Sequence, residues 1–175
     1  MEIKRDNYLE ALRKRMHNGL VKVITGLRRC GKSYFDTPHK YFAEDVGPRN
    51  ARLNFRQVDE DHLMENVIYN ELVLRGYNVD VGVVPIASRN NGKLSIRQHE
   101  IDFIVNLGYQ KIYIQSALSL DSADKREQET LSLRKSGDFF RKIVVCGGMK
   151  RLTRDESGIE YVGVIPFLLD KSILT

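Results

Sequence analysis

Two groups of residues in this 175-residue sequence have types and spacings suited to chemistry. The first is Gly26-Leu27-Arg28-Arg29-Cys30-Gly31-Lys32-Ser33, which meets G-x-x-x-x-G-K-[ST] at every required position and follows directly on the apolar run Val21-Lys22-Val23-Ile24-Thr25. In such a loop the glycines let backbone amides turn inward around phosphate oxygens. The lysine reaches the β and γ phosphates, and the hydroxyl holds Mg²⁺ at the start of a helix whose dipole favours anions. Gly26, Arg29, Gly31, Lys32 and Ser33 are therefore the candidate contacts for ATP, with Ser33 also on the metal side. Phosphoryl transfer further requires an acidic residue at the end of a neighbouring strand. The run 143–146 leads into Cys-Gly-Gly and the run 112–114 into Gln115, so neither supplies one. The loop reads as retained but impaired; slow ATP hydrolysis is the competing expectation.

The second group is Glu65, Asp102 and Gln115-Ser116-Ala117. Alternation along a strand through His99-Glu100-Ile101-Asp102-Phe103-Ile104-Val105 puts Ile101, Phe103 and Val105 on one face and Glu100 and Asp102 on the other. Gln115 and Ala117 likewise share a face. If the two strands pair as a hairpin, these polar positions meet, with Glu65 reaching in from a covering helix. The plainer readings are a helix-surface carboxylate for Glu65, with Glu71 as its competitor on the Met64/Val67/Ile68 arc, and an arginine partner on a neighbouring strand for Asp102.

The elements that must position these residues follow from periodicity and turn chemistry. A helix is expected over 6–17, with Asp6 as a plausible N-cap, and a strand over 21–25. Asp36-Thr37-Pro38 then breaks the pattern. Beyond it come a helix over 60–75 stopped by Gly76, a strand with Tyr77, Val79, Val81 and Val83 alternating, the turn-rich 88–92, and strands over 94–105 and 111–118. A helix over 122–135 with Asp121 as a plausible cap, a buried strand over 143–146, a strand over 159–164 and a short helix over 166–169 complete the order α, β, β, β, α, β, β, α. The first three strands read as a meander, and the fourth as parallel, reached by a helical crossover.

Composition narrows the classes. With 42% hydrophobic and 29% charged residues the chain is a folded domain, neither disordered nor fibrous. Its net charge of +5 is concentrated at the start: residues 1–35 carry nine Lys/Arg against three Asp/Glu, and the rest sums to −1. That favours a local anion site or basic arm and gives modest support to nucleic-acid binding. Two distant cysteines, Cys30 and Cys146, indicate neither a disulfide framework nor a zinc site and fit a reducing cytoplasm. No apolar run approaches the ~20 residues of a membrane span, and no signal peptide is expected.

The Glu65, Asp102 and Gln115 pattern resembles the restriction-endonuclease-like, PD-(D/E)xK fold. Its active members use a helix Glu, a strand Asp and then (Asp/Glu)-x-Lys on the next strand. Here Gln115 replaces the second strand acid and Ala117 the lysine, so the site reads as disabled unless Lys125 or Lys111 supplies the amine. At the level of the whole chain, EIKRDNYLEALRKRMHNGLVKVITGLRRCGKSY resembles the start of prokaryotic AAA-type ATPases that carry a C-terminal domain of unknown function with a nuclease-like fold. ARLNFRQVDEDHLMENVIYNELVLRGYNVDVGVV, HEIDFIV and KIYIQSALSLDSADKREQETLSLRK are similar to that C-terminal domain.

The resemblance implies an internally shortened member: a helix-strand-phosphate-loop remnant over 1–37, then a nuclease-like domain over 40–175 with a mixed central sheet flanked by helices. It implies a mainly non-catalytic module that binds DNA or a protein partner, with ATP and Mg²⁺ at the loop. A metal-dependent nuclease is the further alternative. A strand such as 21–25, deprived of its usual neighbours, would pair elsewhere, so a homodimer through residues 1–37 is expected.

Overall fold

A computed structural model describes residues 40, 42–52, 54–56, 59–90, 93–148 and 150–175. The 1–37 segment, with its expected helix, strand, phosphate loop and dimer contact, lies outside the described residues.

A short helix α1, Gly47–Arg52, precedes α2, Glu60–Leu74. Asp59 caps α2 through its side chain, Glu60 and Asp61 place negative charge in the first turn, and Met64, Ile68, Tyr69 and Leu72 make one buried stripe. Gly76, at φ 87°, ends the helix as the residue type requires, with the Tyr77 amide donating to the Leu72 carbonyl and the Gly76 amide to Val73.

The strands β1, Asn78–Asn90, β2, Lys93–Leu107, and β3, Gln110–Ala117, form the expected antiparallel meander. Helix α3, Ala123–Arg134, then crosses to β4, Arg141–Cys146, which lies parallel to β3. Its cap is Ser122, which accepts from the Lys125 amide at 3.1 Å. The expected cap, Asp121, instead accepts from the Ser119 hydroxyl. Beyond β4 come β5, Thr153–Arg154, and β6, Glu160–Gly163, followed by α4, Val164–Leu169, and a terminal 3-10 turn, Lys171–Leu174. The resulting six-strand mixed sheet runs β1-β2-β3-β4-β6-β5.

Each face of the sheet carries its own core. Helices α2 and α4 cover one, where Ile68, Leu72 and Phe167 pack on Phe103, Ile114 and Val145. Helix α3 covers the other, where Leu133 meets Tyr113, Val144 and Ile101. Among the described residues no helix is long and apolar enough to cross a membrane.

Strict alternation along β2 fails at one point. Asp80 pairs with Ile104 but Gly82 with Ile101, so β2 spends three residues where β1 spends two. The extra residue turns Ile101 toward the α3 core while Phe103 and Val105 stay in the α2 core, so the three do not share a face. Gly82 faces this irregularity, where a Cβ would stand 2.8 Å from the end of Ile104.

Candidate functional site

The segment entering the domain is fastened along α2. Phe42 stacks on Tyr69 with ring centroids 4.1 Å apart. Asn66 grips the Ala43 backbone at both ends, accepting from its amide and donating to its carbonyl at 2.7 Å each. Asn70 donates to the carbonyls of Ala43 and Glu44, both at 3.1 Å. Two asparagines four residues apart on one helix face thus supply the partners that an irregular segment cannot supply for itself. The outcome is positional: Lys40, at the head of this strap, is placed over Asp102, within β2.

There the β2–β3 ladder stops at Phe103 opposite Ile114, and the strands part. Asp102 sits in the opening. One carboxylate oxygen accepts from the Ser116 amide at 2.8 Å, taking the place of a ladder bond, while the Asp102 amide donates to the Gln115 side-chain oxygen at 3.4 Å. Its other oxygen accepts from the Lys40 ammonium, which also donates to Glu65 at 3.3 Å. Asp102 is 6% exposed, Lys40 18% and Glu65 22%, so this is a largely dry ion-pair triad at the carboxyl end of the parallel pair β3 and β4.

The charges follow from that geometry. Burial works against the Lys40 charge, but the Asp102 carboxylate and then Glu65 outweigh it, and Lys40 is held above its ordinary value. Burial and the Asp102 charge push the Glu65 carboxyl above the usual range even with Lys40 beside it. Glu129 on α3 is pushed up by the same two causes in the same order, so Asp102 is felt from both layers of the molecule. Two carboxylates share one ammonium, and the protein field tolerates one full negative charge better than two.

Glu65, Asp102 and Gln115, proposed from sequence, are brought together. The cation among them is Lys40, 62 residues from Asp102 in sequence, rather than Lys125 or Lys111. Lys111 lies over the rings of Tyr113 and Phe140, and Lys125 acts on Glu129. Nor is Glu71 a rival to Glu65: it accepts from Arg75 Nε at 2.7 Å, and Arg75 in turn donates to the Phe167 carbonyl at 2.6 Å, joining α2 to α4. Asp102 is partnered by a lysine instead of an arginine. The buried amide of Asn66 on an apolar helix face was the available sign that a strap crosses there. The loop residues Gly26, Arg29, Gly31, Lys32 and Ser33 lie outside the described residues.

A divalent cation does not fit this arrangement. It would have to displace the Lys40 ammonium from the two carboxylates. Gln115 offers only a neutral oxygen, already facing the Asp102 amide. Among the described residues no three His, Cys, Asp or Glu side chains are grouped so as to hold a metal.

Residues 60–167 match the family described as Domain of unknown function (DUF4143). The span includes Glu65, Asp102, Gln115 and Glu129 but not Lys40. An uncharacterized protein of Haemophilus influenzae is 31% identical over 139 residues, covering 79% of this chain and 31% of its own length. The chain therefore spans under a third of that relative. No solved structure matches it.

Proposed function

We propose, from the premise that this chain belongs to the DUF4143 family, that it is a non-catalytic binding module built on a nuclease-like scaffold. The scaffold reading rests on the order α2-β1-β2-β3-α3-β4, with an antiparallel meander followed by a parallel strand, and with Glu65, Asp102 and Gln115 gathered where β2 and β3 part. One observation carries the loss of catalysis: the Lys40 ammonium occupies the space between the two carboxylates. Metal-assisted phosphodiester hydrolysis needs that space for a cation that polarises phosphate and lowers the pKa of water. An ammonium already shared by two carboxylates carries no metal-bound water for the attack, and Ala117 has no amine to take up the proton. The carboxylates serve instead as the anchor for the strap that enters the domain. Among possible partners, the exposed apolar side chains of Leu94 and Ile96 on β2 favour protein over DNA.

The test is cleavage of supercoiled plasmid and single-stranded oligonucleotide with Mg²⁺ or Mn²⁺. We expect no nicking by the unmodified chain or by Lys40→Ala. Metal-dependent nicking abolished by Asp102→Asn would reverse the reading.

A second reading, nucleotide binding with slow hydrolysis, is favoured by the complete Gly26–Ser33 motif. Titration with a fluorescent ATP analogue and Mg²⁺ should show weak binding that Lys32→Ala removes. Equal binding by both proteins would discard it.

A further inference from the structure

The outer half of the β1–β2 hairpin leaves the sheet behind. Beyond Phe103, β2 has no β3 partner, yet β1 and β2 stay paired out to Asn90 and Lys93. Isolated two-stranded ribbons are marginal in water unless one face is covered. Here one face is apolar and open: Val83, Pro85 and Ala87 from β1 alternate with Leu94 and Ile96 from β2, and Leu94 and Ile96 are 67% and 65% exposed. The opposite face returns to the core through Val84 and Ile101.

We infer that this face is covered by the same face of a second copy of the chain, packed antiparallel across a two-fold axis. Charge placement is the argument. The pairs along the face run Val83/Glu100 at the base, Pro85/Gln98, Ala87/Ile96, then Arg89/Leu94 at the tip. Positive charge therefore stands at one end of the apolar stripe and negative charge at the other. A two-fold that lays tip over base brings each Arg89 beside the partner copy's Glu100, twice, with Ile96 and Ala87 against Pro85 between them. Such a surface is self-complementary in the sense a two-fold interface demands.

Pairing edge to edge through β1 is opposed by Pro85, which has no amide hydrogen to offer in the middle of that edge. DNA would find an acidic residue at the base and an apolar stripe, not a continuous basic face. The contact uses eight side chains per copy, fewer than the roughly 20–30 of a standard interface, so the dimer is weak and forms at about micromolar concentrations or above. This inference stands apart from the reading of the Lys40 triad.

Sedimentation velocity on the full chain from about 1 to 200 µM tests it, as a range that brackets weak association. The unmodified chain should pass from monomer to dimer. Ile96→Lys should raise the dissociation constant at least ~10-fold, as loss of a central apolar contact does. Arg89→Glu and Glu100→Arg should each weaken the dimer, and the double variant Arg89→Glu/Glu100→Arg should restore it, which a folding defect would not do. A monomer throughout the range overturns the inference, as does a dimer indifferent to these four variants; the latter would place association elsewhere, including residues 1–37.

Discussion

Lys40→Met should destabilise the fold by about 3 kcal/mol, the usual cost of removing one partner from a buried ion pair and leaving a charge behind. Asp102 is the reason: at 6% exposure it cannot recover in water what it loses in the ammonium. The loss should be coupled to Asp102, so that Lys40→Met/Asp102→Asn falls short of the sum of the single changes by about 1–2 kcal/mol in urea unfolding. Strict additivity would mean that the two groups do not interact.

Glu65 should behave differently from Asp102. Its carboxyl is held above the ordinary range, so its ionised form costs stability as pH rises through that folded value. Glu65→Gln at neutral pH should accordingly cost less than Asp102→Asn. The Lys40 contribution runs in the same direction at higher pH: it is present below the ordinary lysine value and lost in alkali as pH rises through the raised one.

Glu160→Gln should cost about 2–3 kcal/mol at neutral pH, by the same logic of an orphaned buried pair. Glu160 lies on β6 with its side chain 4% exposed, accepting from Arg141 Nη2 at 2.8 Å and from Arg154. Arg141 also donates to the Ile173 carbonyl at 2.6 Å, so the carboxylate ties β4, β5 and the C-terminal turn together. Arg154 is 67% exposed and contributes little of the total because water screens it. Burial would push the Glu160 carboxyl up, but the hydrogen bonds and charges of Arg141 and Arg154 outweigh it and hold the group below its usual range.

A depressed folded value means stability that is present above the unfolded glutamate value, near 4.5, and lost as pH falls through the lower one. Thermal unfolding of the two proteins should therefore differ most at neutral pH and converge in acid. A difference unchanged at the lowest pH would assign the effect to packing.

The sequence alone determined most of the elements from Glu60 onward, because their signals are local. Met64, Ile68 and Leu72 recur at helical spacing, Gly76 can take the left-handed turn that ends α2, and turn residues separate the three meander strands. It also showed that Gln115 and Ala117 stand where the nuclease pattern it resembles carries an acid and a lysine. It did not determine the side chain that fills the gap. Lys40 reaches Asp102 only because Phe42, Asn66 and Asn70 fasten an irregular strap across α2, and no periodicity links residues so far apart. Nor did alternation foresee the extra residue in β2, which parts Ile101 from Phe103 and aims Asp102 into the opening between strands. Local propensity sets elements one at a time; the meeting of one lysine with two carboxylates from separate elements is a property of how they pack, where low dielectric makes a single charge decisive.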